Sequence, residues 1–197
     1  MAHEYLFKEY ELCFEQLRFY DTRHESLLKY TFSLTSAVAT AQFGVYQFLR
    51  GATTGFFQCS AILSALVFIA TGLLLLAMLQ NRLYFVFVAR QINAIRGYLM
   101  SVAAARFKDN QMYTSKDFPA LKLLSPQTLE ILGTALVSSG FAGASAFAVR
   151  PALGATPIIA VGVSTCALVF FVEVGGSVAY LRVSSQRSAD EAVHGKN

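Results

Sequence analysis

The sequence predicts an all-α integral membrane protein: a membrane-embedded four-helix bundle with a cytoplasmic antiparallel helical stalk. Three observations predict it. Charged residues make up 14% of the 197 and hydrophobic residues 55%, too few charges to cover an aqueous surface, because soluble domains are about a quarter charged. The charges leave four long gaps, Tyr30 to Leu49, Gly51 to Leu79, Ile131 to Val149 and Pro151 to Leu181, the last broken only by Glu173. A spanning helix needs about 20 mostly apolar residues, which these gaps supply. Outside them, two charged segments carry apolar residues at heptad spacing.

The first of these segments is residues 1–29. Leu6, Tyr10, Cys13, Leu17, Tyr20, His24 and Leu27 alternate between spacings of four and three, a heptad seam with charges on the remaining faces. Those same charges, and the lack of a short apolar run before a cleavage site, exclude a signal peptide. No Gly or Pro interrupts before Gly44, so the helix is expected to run straight into span one, residues 30–49. Span one is the least apolar of the four, with Thr31, Ser33, Thr35, Ser36, Thr40, Gln42 and Gln47 along it. Ser and Thr can bond a carbonyl one turn earlier. The glutamines do this less easily, so span one is expected to be buried, with Thr40, Gln42 and Gln47 facing protein or lining a polar path.

Span two covers residues 56–79 and gives way to a second cytoplasmic helix, 82–106. Phe85, Val88, Ile92, Ile95, Leu99 and Val102 form its seam, while Arg82, Arg90, Asn93 and Arg96 fall off it. One helix approaches the membrane and the other leaves it, so the seams are suited to pair antiparallel, Leu17, Tyr20 and His24 against Ile92, Ile95 and Leu99. The alternative is a helix lying flat on the membrane, which the aromatic start "LYFVFVAR" suits. Residues 107–125 are polar, broken by Pro119, and read as a loop. Ser125 as cap and Pro126 at the first helical position then start a helix leading into span three, 129–149. The stretch "RPALGATP" makes a tight outer turn into span four, 157–181, and the tail 182–197 is polar.

Orientation follows from the basic residues. The N-terminal segment holds Lys8, Arg18, Arg23 and Lys29, the central one runs from Arg82 to Lys122, and the tail holds Arg182, Arg187 and Lys196. Of the 16 Lys and Arg, only Arg50 and Arg150 lie on the other side. The positive-inside rule places both termini and the central segment in the cytoplasm of a multi-pass inner-membrane protein. Sidedness also accounts for the net charge of +4 better than nucleic-acid binding does, and the basic residues suit the anionic inner leaflet of the bilayer.

Span three is rich in small residues. Ser139 with Gly143, and Gly140 with Ala144, are four apart and let helix backbones approach closely. That serves packing within one chain or an interface between copies. Glu173 lies about 13 Å in from Arg182 by helical rise, well inside a hydrocarbon core about 30 Å thick. A carboxylate there is costly and faces a bundle interior or a water-filled cavity. Gly175, Gly176 and Ser177 follow it and leave room for another helix. Two readings stand: a carboxyl bonded to a hydroxyl of span one, or part of a polar path with Thr40, Gln42 and Gln47 in an oligomeric pore.

Enzyme signatures are lacking. His3, His24 and His194 have no ligand spacing with Cys, Asp or Glu, and no phosphate loop or nucleophile elbow occurs. Cys13, Cys59 and Cys166 have no paired spacing, so neither a disulfide framework nor a zinc site is expected. No catalytic residue, metal or cofactor is expected.

The arrangement of charged helix, hydrophobic hairpin and basic helix resembles the SLATT group of small bacterial membrane proteins. The residues that carry the likeness are "YELCFEQLRFYDTRHESLLKYTFSL" and "VFVARQINAIRGYL", in the first half of the chain; here a second hydrophobic pair follows. The resemblance implies an effector of nucleotide-signalled bacterial defence that perturbs the membrane. The expected function is thus a non-enzymatic, homo-oligomeric inner-membrane protein that permeabilises or depolarises the membrane on a cytoplasmic cue. The alternative is a passive scaffold or accessory subunit whose stalk docks a cytoplasmic protein partner.

Overall fold

The computed structural model describes residues 2–49, 52–102, 118–122 and 125–186. Most of the expected loop, and the tail from 187, lie outside the described residues. Among these residues the chain is entirely helical: α1 (Ala2–Phe48), α2 (Thr53–Val102), α3 (Pro126–Ala152) and α4 (Ile159–Ser185). Three helices, α2, α3 and α4, are long and apolar enough to cross a membrane. The hydroxyls and amides between Thr31 and Gln47 dilute α1, which is not among them.

The first two helices are longer than any single span. α1 has 47 residues and α2 has 50, about 70 and 75 Å at 1.5 Å per residue. The boundary placed between residues 79 and 82 is continuous helix, because no Pro interrupts the ladder there.

Successive helices run antiparallel. Gln42 donates to Ser64, Asn81 to the Tyr20 carbonyl and Arg96 to the Tyr10 hydroxyl, so α1 falls as α2 rises along their whole length. Tyr20 stacks on Tyr84 with ring centroids 5.8 Å apart. α2 and α3 share the most extensive contact, with Thr134 Oγ1 donating to the Met78 thioether Sδ at 3.4 Å and Ser145 to the Ala61 carbonyl. α4 leans on α3, and α1 touches α3 only sparingly.

α3 begins as expected. Ser125 caps it, its hydroxyl accepting from the Thr128 N–H, with Pro126 in the first turn. At the other end the Ala155 N–H returns to the Arg150 carbonyl, a closure that needs a left-handed residue, which Gly154 supplies at φ 76°.

The main apolar core sits where all four helices converge, at one end of the spanning segments. Leu27 of α1, Leu75, Met78, Leu79 and Val86 of α2, Ile131 and Ala135 of α3 and Leu181 of α4 meet there, covered by Ala120. Higher up, the interior changes character. Thr31, Ser64, Thr71, Thr134, Ser138 and Ser139 are fully buried, while Ile62, Leu66, Ile69, Leu73 and Leu76 face outward. An apolar exterior around hydroxyls is the distribution expected of helices in lipid, which does not drive apolar groups inward.

Candidate functional sites

Glu173 projects from α4 onto α3. Its Oε1 accepts from Ser138 Oγ at 2.7 Å, and its Oε2 is buried without a hydrogen-bond partner among the described residues. Ser177, one turn on, returns its hydroxyl to the Glu173 carbonyl. The carboxyl therefore finds a hydroxyl partner in span three, where the sequence pointed to span one. The reason is packing: α4 lies chiefly on α3 and, more lightly, on α2.

The other residues of the expected polar path do not join it within one chain. Gln42 points into the α1–α2 contact and donates to Ser64 Oγ at 2.9 Å. Thr40 bonds the Ser36 carbonyl of its own helix. Thr40 and Gln47 are both exposed. Span one was expected to be buried, yet between residues 30 and 48 only Thr31 is buried. Thr31, Thr35 and Thr40 each bond a carbonyl of their own helix, so these hydroxyls are satisfied without cover.

The small-residue pairs separate by face. Gly143 meets Gly162 so closely that a Cβ on it would lie 2.6 Å from the Gly162 carbonyl oxygen and 2.8 Å from Cys166 Cβ. Ser139 is buried beside it, with Cys166 Sγ 3.8 Å from its hydroxyl. Gly140 and Gly176 have open space around them instead. Gly176 and Glu173 line a groove of about 480 Å³ between α2 and α4.

On the paired extension, Cys13, His24, Leu27, Ile92 and Ile95 are buried and Leu17, Tyr20 and Leu99 are half-buried. Desolvation, followed by the nearby Glu9 charge, pushes the Cys13 thiol above its ordinary value. Arg82 and Asn93 were placed off the seam, yet both are buried. Besides α1, α2 has a second neighbour in the strap 118–122 and the start of α3.

That second neighbour builds a polar cluster which the sequence did not reveal. Arg82, 4% exposed, donates from Nε to the Ala120 carbonyl at 3.0 Å and from Nη1 to Gln127 Oε1. Its guanidinium stands over the rings of Phe85 and Phe118, and burial lowers its pKa to about 10. Arg90 makes the matching bond from Nε to the Phe118 carbonyl, so two arginines of α2 hold the strap. His24, 3% exposed, brings Nε2 to 2.6 Å from Oε2 of Glu130, off the line of a straight hydrogen bond, while its Nδ1 has no partner among the described residues. Asp21, His24, Arg82, Phe118, Gln127 and Glu130 border a cavity of about 850 Å³.

The signal for this cluster was weak but present: Arg82 and Glu130 are charges at the ends of apolar runs, where a partner is required. Among the described residues no group of His, Cys, Asp and Glu could hold a metal ion. Searches against protein-family models, curated proteins and solved structures found no match to this chain.

Proposed function

We propose that the chain is a non-enzymatic, four-span inner-membrane protein, a four-helix bundle with its α1–α2 extension as a cytoplasmic stalk. It self-associates, and the assembly permeabilises or depolarises the membrane on a cytoplasmic cue. The likeness in arrangement to the SLATT group supports an effector role in bacterial defence, and the basic asymmetry supports cytoplasmic termini.

One observation carries the reading. Ser33, Ala37, Thr40, Gly44 and Gln47 recur at spacings of four and three along α1, and all five are exposed in the single chain. This is a small and polar stripe at membrane depth, opposite the face that packs on α2. Polar residues within a span normally face a bundle interior or water, and small residues let helix backbones approach closely, so such a stripe suits a helix contact or water better than lipid. Copies that turn α1 toward a common axis place it against both.

Ion flux from reconstituted protein tests this. Wild type is expected to leak, and Thr40→Val with Gln47→Leu to assemble but conduct at least several-fold less. Equal flux from both would remove the stripe from the path. No flux from well-assembled wild type would leave the second reading, a scaffold that docks a cytoplasmic protein on the stalk, which the exposed Phe7, Leu12 and Phe19 favour. Reporter fusions after Asn110 and at the C-terminus are expected to report cytoplasm; a periplasmic signal from either overturns the four-span count.

A further inference from the structure

α1 and α3 touch little, and the described polar links between them are two: His24 to Glu130 at 2.6 Å, and Gln127 Nε2 to Asp21 Oδ1 at 3.5 Å. Both lie on the wall of the same cavity, beside Arg82. We propose that His24, Glu130 and Arg82 form an acid-sensitive latch, which holds α1 against α3 at neutral pH and lets go when His24 takes up a proton.

The argument is one of charge and donors. His24 Nε2 and Glu130 Oε2 stand 2.6 Å apart without the alignment of a hydrogen bond, and neither atom has another partner among the described residues. With a neutral imidazole the buried cluster balances, the Glu130 carboxylate against the Arg82 guanidinium. A second proton on the imidazole adds a net positive charge next to Arg82. The imidazolium carries an N–H on both ring nitrogens, and Nδ1 has no acceptor among the described residues. A buried unpaired charge and an unmet donor both favour exposure to water, and the adjoining cavity admits it.

The groups facing His24 are Glu130 from α3, Arg82 from α2 and Asp21 from its own helix, with Glu25 and Lys122 also on the cavity wall. Desolvation lowers the His24 pKa below its ordinary value, outweighing the support that Glu130 and Asp21 give the proton; Arg82 adds to the lowering. For a depressed histidine the unfolded chain binds the proton first as pH falls. The stability His24 contributes is therefore complete above about pH 6.5 and declines below it.

The latch stands on its own geometry; only the step from its release to a leak rests on the proposed function. Spin labels at Thr22 and Leu129, exposed on α1 and α3, read the separation in full-length protein in vesicles, with Cys13, Cys59 and Cys166 replaced. Wild type is expected to give a single short distance at about pH 7.5 and a longer population that grows toward about pH 5, across the imidazole range. His24→Gln, which cannot take the proton, keeps the short distance throughout. Glu130→Gln moves the midpoint to lower pH, because the carboxylate that supports protonation is gone. A wild-type distance that does not change with pH, or a His24→Gln variant that follows wild type, overturns the latch; an unmoved midpoint in Glu130→Gln overturns the part given to Glu130. Flux from the same vesicles separates the two ideas: release without flux sinks the permeability reading alone, and flux with a pH-invariant distance sinks the latch alone.

Discussion

α1 and α2 each pass through two regions and pack by opposite rules in them. In the paired extension, Cys13 and Leu27 of α1 meet α2, where Val86, Ile92 and Ile95 are buried, and Lys8, Arg18 and Arg23 face outward. Farther along the same helices, Thr31, Ser64 and Thr71 are buried and Phe32, Phe43, Ile69 and Leu73 face outward. The crossover comes near Leu27 and Thr31 on α1 and between Thr71 and Leu79 on α2. On the proposed topology, water would reward apolar burial below that line, and above it shape and the satisfaction of polar groups would hold the helices together. A single helix would then record where its solvent changes.

Substitutions can break this comparison. The largest effect is expected for Ile92→Asp in the extension, where an unpaired charge in a site 3% exposed costs about 3–5 kcal/mol. Leu17→Asp, half-buried, costs less. Denaturation monitored by helicity measures both, and a neutral Ile92→Asp would refute the seam.

In the upper region the expected equivalent is steric. Gly143→Val forces α3 and α4 apart at the Gly162 contact, and overpacking of this kind costs about 1–3 kcal/mol. Gly140→Val, with open space around it, leaves the fold unchanged in the same assay. Equal losses at both glycines would mean that the close approach is not where the chain places it.

Smaller again is Glu173→Leu, which strands the Ser138 hydroxyl for about 0.6 kcal/mol, the average for hydrogen bonds between membrane helices. Glu173→Gln keeps a partner for Ser138 and is expected to leave stability unchanged. The smallest effect is Lys29→Ala. Its ion pair with Glu25 is exposed at both ends, and no measurable change in stability is expected.

These differences also explain what was legible in the sequence. A heptad seam is a property of one helix, and Cys13, His24, Leu27, Ile92 and Ile95 could be listed from spacing alone. The cap at Ser125 was legible for the same reason, since cap and capped N–H are three residues apart. The polar cluster was not, because His24, Arg82 and Glu130 come from three helices and nothing local couples them. Glu173 marked itself by standing in an apolar run, but its partner depended on which helix packs beside α4. Span one is not buried within the single chain, where Thr31, Thr35 and Thr40 each bond their own helix.

The pairing of Tyr10 with Arg96 joins residues 86 positions apart. A ribosome adding about 5–20 residues per second needs roughly 4–17 s to cover that separation. On the proposed topology, the seam of the nascent N-terminal helix waits in the cytosol for this interval while two membrane segments are threaded. The charges crowded between Glu4 and Lys29 then serve the newborn chain as well as the finished one, keeping the first helix dispersed until its mate is translated.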